Sequence, residues 1–219
     1  MKLPRQFYDR PTLEVARDLL GKVLVHRRGS TVTSGAIVEV EAYIGESDPA
    51  CHAAPGPTRR NRPLYGPPGF AYVYLNYGIH YLVNVVTESQ SQPAAVLIRA
   101  LDPVDGVEVM RRRRRRATKG RRALNGRSLS DHELCRGPGN VTMAMGITLA
   151  QNELDLVGDQ LFIEDRGVVP GTIAWSGRIG IRVGTEHPWR AFIEEHPAVS
   201  ARTRASPQRT QRTRRTPEL

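Results

Sequence analysis

Residues 63 to 87, PLYGPPGFAYVYLNYGIHYLVNVVT, contain no Asp, Glu, Lys or Arg. An uncharged stretch of this length is enough to cross a bilayer as a helix, so its reading decides the class of protein. Three prolines, three glycines, two asparagines and a histidine interrupt it, and its apolar residues alternate in short runs. That pattern predicts two strands, FAYVYL and IHYLVNVV, joined by the tight turn NYG (76–78), and no membrane span. Gly78 accepts the positive φ that such a turn needs. Tyr72 and Tyr74, two residues apart, then point the same way, and Tyr77 projects from the hairpin tip.

Other segments supply a sheet and helices around this hairpin. PTLEVARDLLGK (11–22) predicts a helix with Leu13, Val15, Ala16, Leu19 and Leu20 on one face and Gly21 as its stop. KVLVHR (22–27) and TSGAIVEVEAYI (33–44) predict strands. In the second, simple alternation puts Val38, Val40, Ala42 and Ile44 on the core side and Glu39, Glu41 and Tyr43 on the other, facing solvent or a cleft. AAVLIRAL (94–101), LFIED, GRIGIRV and RAFIEE are further expected strands, and DGVEVMRRRRR is expected to begin a helix whose end runs into the basic loop. ELCRGPGNVTMAMGI (133–147) predicts a Gly-rich turn opening into a short helix.

The formal net charge is +10, but it is unevenly placed. RRRRRRATKGRR (111–122) holds nine basic residues and the stretch from Arg202 to Arg215 holds six. With those fifteen set aside, 17 basic residues face 21 acidic ones, so the body is near −4. A basic insertion over 111–127 and a disordered basic tail over 201–219 are therefore expected, attached to a domain spanning 1–200. Two Arg runs in so small a chain favour an anionic polymer as partner. The two cysteines, Cys51 and Cys135, read as free thiols of a reducing compartment. The N-terminus lacks the apolar run of a secretory signal, which agrees with a cytoplasmic protein.

Three kinds of chemistry remain open on residue types alone. Glu39 and Glu41, two apart on a strand, sit about 6.5–7 Å apart, which suits a sugar hydrolase that activates water between two carboxylates. The charge alone suits a non-catalytic RNA-binding module. An aromatic at an exposed turn beside basic segments suits insertion into a nucleic-acid stack. Five of the seven tyrosines fall between residues 65 and 81.

Several stretches decide among these. VEAYIGESDPACH, RNRPLYGPPGFAYVYLNYGIHYLVNVV, VLIRALDPVDG and ELCRGPGN resemble, in sequence and spacing, the alkyladenine (3-methyladenine) DNA glycosylase family. The resemblance begins near QFYDRPTLEVARDLLGKVLV and runs in order through GRIGI. It implies an α+β single domain, with a curved, largely antiparallel sheet flanked by helices. The implied activity is excision of damaged purines from double-stranded DNA by hydrolysis of the N-glycosidic bond, after the nucleotide is flipped out.

By motif match, Glu41 is implied as general base and Arg99 as the arginine of the active-site floor. Tyr43, His52 and Tyr74 are implied to sandwich the flipped base, Asn84 to disfavour guanine, and Tyr77 to fill the gap left in the stack. Neither metal nor other cofactor is implied. The only lysines are Lys2, Lys22 and Lys119, none in a matching motif. A monofunctional enzyme that leaves an abasic site is therefore expected, working as a monomer at a bacterial-type nucleoid. Asn140 stands where the family often has a lysine.

Overall fold

The computed structural model describes residues 1–118 and 128–200. An antiparallel sheet runs through it, built from β1 (Val23–Arg28), β2 (Thr31–Ile44), β3 (Ala71–Asn76), β4 (His80–Val86), β5 (Ala94–Asp105), β6 (Leu161–Glu164), β7 (Ile173–Ser176) and β8 (Arg190–Ile193). The strand order is β3-β4-β5-β2-β1-β6, with β8 added to β2 and β7 to β8. The long β2 is the spine: β5 lines one side of it, while β1 and then β8 pair along the other. Around the sheet lie α1 (Arg5–Tyr8), α2 (Thr12–Leu19), α3 (Val107–Thr118), α4 (Asp131–Leu134) and α5 (Pro138–Met145). The expected α+β architecture, with an antiparallel sheet and flanking helices, is the one found.

The helices cover one face of the sheet, where Val40, Ala42, Val73, Val83, Val85, Val96 and Ile98 form a core with Val15, Leu19, Met110, Leu134 and Val141. Burial of each such side chain is worth about 1.5–3 kcal/mol. In α2, Val15, Ala16 and Leu19 turn inward, and the chain leaves the helix through Gly21 at φ +82. A Cβ on Gly21 would stand 2.9 Å from the Val168 carbonyl oxygen, so glycine there serves both the turn and the close approach. No helix of the described residues is long and apolar enough to cross a membrane.

Two expectations need correction. First, simple alternation fails in the middle of β2. Ile37, Val40 and Ala42 share the main core, but Val38 packs with Ala100, Ala198 and Val199. The register with β5 jumps there: Ile37 pairs with Leu101, Glu39 with Ala100, and Val40 with Ile98. Each strand thus turns two successive residues, Val38–Glu39 and Arg99–Ala100, away from the main core, as an irregular ladder allows.

Second, GRIGIRV (177–183) is a loop; the strand lies just before it, as β7. Gly180, in the middle of the loop, takes φ +79, which turns the chain out of the extended conformation. The helix expected to begin in DGVEVMRRRRR is found as α3, and it takes in the whole six-arginine run. Arg114 is buried, and Arg113 donates to the Ala144 carbonyl at 2.9 Å beside Gly146, placing a cation at the C-terminus of α5. The remainder of the expected basic insertion, and the whole expected tail, lie outside the described residues.

Candidate active site

The face of the sheet opposite the helices carries the polar and aromatic residues. Because side chains alternate, the strands that send Val40, Ala42, Val73, Val83, Val96 and Ile98 into the core send Glu41, Tyr43, Tyr72, Tyr74, Asn84, Leu97 and Arg99 the other way. There they meet a cavity of about 540 Å³, a size typical of small-molecule sites. Tyr43, His52, Tyr74, Tyr77, Asn84 and Arg99 all line it. The cavity thus brings together six of the seven residues singled out from the sequence. The seventh, Glu41, lies directly beneath its wall.

Glu41 is wholly buried, and its oxygens are held by groups that do reach the cavity. Oε2 accepts the Tyr43 hydroxyl at 2.9 Å and pairs with a terminal nitrogen of Arg99 at 3.2 Å. Oε1 accepts the Ile179 backbone N–H at 2.6 Å. Burial, then the neighbouring Glu41 charge, pushes the Tyr43 phenol far above its usual range, so it stays a donor.

Glu39 has a different part. It is wholly buried and fully committed: Oε1 accepts from Arg99 Nε at 3.0 Å, Arg190 Nε at 2.7 Å and Ser200 Oγ at 2.9 Å, and Oε2 from the Ser200 N–H at 2.6 Å. Burial opposes its ionisation, yet Arg99 and Arg190 outweigh that and hold its carboxyl below the usual range. Arg99 bridges Glu39 and Glu41, so the two do not flank a water, and the sugar-hydrolase geometry is absent.

His52 reaches the cavity because the loop after β2 is tied at both ends. Asp48 accepts the N–H groups of Ile44 at 3.2 Å and Ala50 at 3.0 Å, and is gripped by both terminal nitrogens of Arg178 at 2.5 and 2.8 Å. Arg178 also donates to the carbonyls of Ala42 and Gly184, and lies between the rings of Tyr43 and Trp189. Beyond His52, the Asn61 side chain donates to the His52 carbonyl at 2.7 Å and the Gly56 carbonyl at 2.9 Å. The His52 ring packs edge-on to Tyr74 with centroids 4.5 Å apart, and its Nδ1 is 2.9 Å from the Tyr72 hydroxyl. Burial and the nearby Arg60 charge lower the His52 pKa, favouring a neutral ring.

Asn84 pairs across the hairpin with Tyr72 and donates to its carbonyl at 3.0 Å. Tyr77 is 86% exposed at the tip, with φ +48. It and Gly78 are the two central residues of a turn closed by Ile79 N–H to the Asn76 carbonyl. Asn140 donates to the Arg136 carbonyl at 2.6 Å.

Sequence reasoning passed over four contributors to the site. Tyr72 was visible through its parity with Tyr74. The links of the Ile179 N–H to Glu41 and of Arg178 to Asp48 carried no local signal, because they join residues 130 or more apart in the chain.

The pattern of the methylpurine-DNA glycosylase (MPG) family matches residues 6–197. Proteins of Methanocella arvoryzae and Alkaliphilus oremlandii are 48% and 45% identical over 204 residues, covering 91% of this chain and 96% and 99% of their own lengths. One from Chlorobaculum parvum is 41% identical over 215 residues, covering 97% of both. All three carry the provisional name 3-methyladenine DNA glycosylase. With the match running almost the length of the chain, the protein belongs to the methylpurine-DNA glycosylase family.

Proposed function

We propose that this glycosylase removes alkylated and deaminated purines from double-stranded DNA by direct attack of water, with Glu41 as general base. The observation that carries the reading is a carboxylate held by three donors at the wall of a cavity lined by Tyr43, His52 and Tyr74. The flipped purine occupies the aromatic cage, with Asn84 at its edge and Tyr77 in the gap left in the duplex. The C1′–N9 bond breaks with its electron pair going to the purine. Water adds to C1′ and gives its proton to Glu41, while the carboxylate steadies the positive charge growing on the sugar. Arg99 and the Ile179 N–H keep Glu41 aimed.

One copy of the chain supplies carboxylate, cage and wedge together, which fits a monomer acting at the bacterial nucleoid. Residues 1–200 are the working domain, and the Arg-rich segments add sequence-independent affinity for phosphates. Duplexes carrying one hypoxanthine or one 7-methylguanine test this. Wild type should release the base and leave an alkali-labile abasic site, and Glu41→Gln should lose about 10²–10⁴ in rate. Undiminished release by Glu41→Gln would end the assignment.

A further inference from the structure

The two tyrosine walls of the cavity are each backed by a guanidinium. Arg178 lies over the Tyr43 ring, 4.7 Å from its centroid, and Arg60 over the Tyr74 ring at 5.6 Å. Neither arginine lines the cavity; each stands behind a ring that does. Arg60 is exposed and donates to the Leu75 carbonyl at 3.2 Å. Arg178 is buried and bound to Asp48 through two hydrogen bonds, which offsets much of its charge. Arg178 stands on the Glu41 side, because Tyr43 donates to Glu41 at 2.9 Å, whereas Arg60 stands at β3, with β4 and β5 between it and the strand that carries Glu41.

We propose that Arg60 polarises the cavity so that its field runs the way the bonding electrons move. Glycosidic cleavage transfers an electron pair from C1′ to the purine. A purine that enters cationic leaves neutral, and one that enters neutral leaves with one more negative charge than it brought. In both cases the base end becomes more negative and the sugar end more positive. Positive charge behind the cage and a carboxylate at the sugar therefore favour the transition state over the bound substrate. The aromatic faces alone would do the opposite for a cationic purine, since a cation resting on an electron-rich ring is stabilised before it reacts. Arg60 is thus a positioning residue of the electrostatic kind, and this role rests on the reading of Glu41 as general base.

The test is single-turnover excision with enzyme in excess, on duplexes holding one hypoxanthine or one 7-methylguanine. Arg60→Gln should lower the maximal rate on both by about 3–10-fold, less than loss of a direct oxyanion donor because the charge is exposed and screened. Its half-saturating concentration on 7-methylguanine should stay the same or fall, and Arg60→Lys should restore most of the rate. An unchanged maximal rate, or a change confined to half-saturation as for a phosphate contact, overturns the proposal. So does failure of the lysine variant to recover. Glu41→Gln run alongside separates the two ideas. If it is inactive while Arg60→Gln matches wild type, only the role of Arg60 falls; if it is active, the reading of the site falls.

Discussion

Arg99 spans two buried carboxylates, with its Nε 3.0 Å from Glu39 and a terminal nitrogen 3.2 Å from Glu41. The irregular ladder between β2 and β5 puts all three side chains on one face. Breaking a buried pair from one side leaves a charge without its partner and costs about 3–5 kcal/mol. Glu39→Gln should therefore lower unfolding free energy by roughly that amount. Excision should fall as well, because Arg99 is freed to move off Glu41. Arg99→Lys should not rescue either property, since an ammonium cannot reach two carboxylates with fixed geometry. Chemical denaturation and excision assays on the two variants check this. A Glu39→Gln protein of wild-type stability would refute it.

Asp48 and Arg178 hold the loop that presents His52. Asp48→Asn removes one charge from a pair whose side chains are both wholly buried. It should destabilise by about 3–5 kcal/mol. His52 should also lose its fixed place over Tyr74, so excision should drop even at temperatures where the variant is fully folded. Equal loss of activity and folded fraction across a temperature series would show that the pair serves stability alone.

These particulars also mark how far the chain could be read in advance. Alternation placed Tyr72 with Tyr74 and Glu41 with Tyr43 on one non-core face, because a pleated strand leaves no choice over short runs. It failed at Val38, where an extra residue shifts the phase, and no local residue pattern announces such a shift. GRIGIRV looked like a strand from its alternation, yet its backbone bonds go to Glu41 and its arginine to Asp48. Contacts across more than a hundred residues decided that segment. The start of a helix in DGVEVMRRRRR is legible locally, but its inward face, with Met110 and Arg114 buried, is set by the elements packed against it.

His26 predicts a stability that depends on mild acid. Its Nδ1 lies 2.9 Å from the Met145 carbonyl, a pure acceptor, so Nδ1 carries the proton and donates. Nε2 is buried with no hydrogen-bond partner among the described residues. Burial lowers the pKa, and Arg113 and Arg28 add to that effect against the Met145 bond. Below the ordinary value of 6.5 the unfolded chain takes up a proton that the folded chain refuses, so stability falls as pH drops through that value. The loss levels off once folded His26 is protonated too. Urea unfolding should show lower stability at pH 5.5 than at pH 7.5, and His26→Gln should shrink the difference. An equal difference in the variant would assign the effect to other groups.

Tyr77 predicts opposite signs for stability and function. It holds φ +48, a left-handed conformation that costs a non-glycine residue about 1–2 kcal/mol. At 86% exposure it recovers none of this by burial. With Gly78 at φ +68 after it, the turn favours an Asn-Gly pair, whose residues adopt positive φ readily. Tyr77→Asn should therefore raise unfolding free energy by about 0.5–1 kcal/mol. On the proposed reading the same change also removes the wedge for the vacated stack, so the flipped state should lose the few kcal/mol that offset unstacking. Excision from a well-paired duplex should fall about tenfold or more, and the loss should shrink when the lesion sits opposite a mismatch, where flipping is easier. A thermal melt beside excision on paired and mismatched duplexes reads both signs. A variant that is more stable and equally active on paired DNA would leave the strain at Tyr77 without a function.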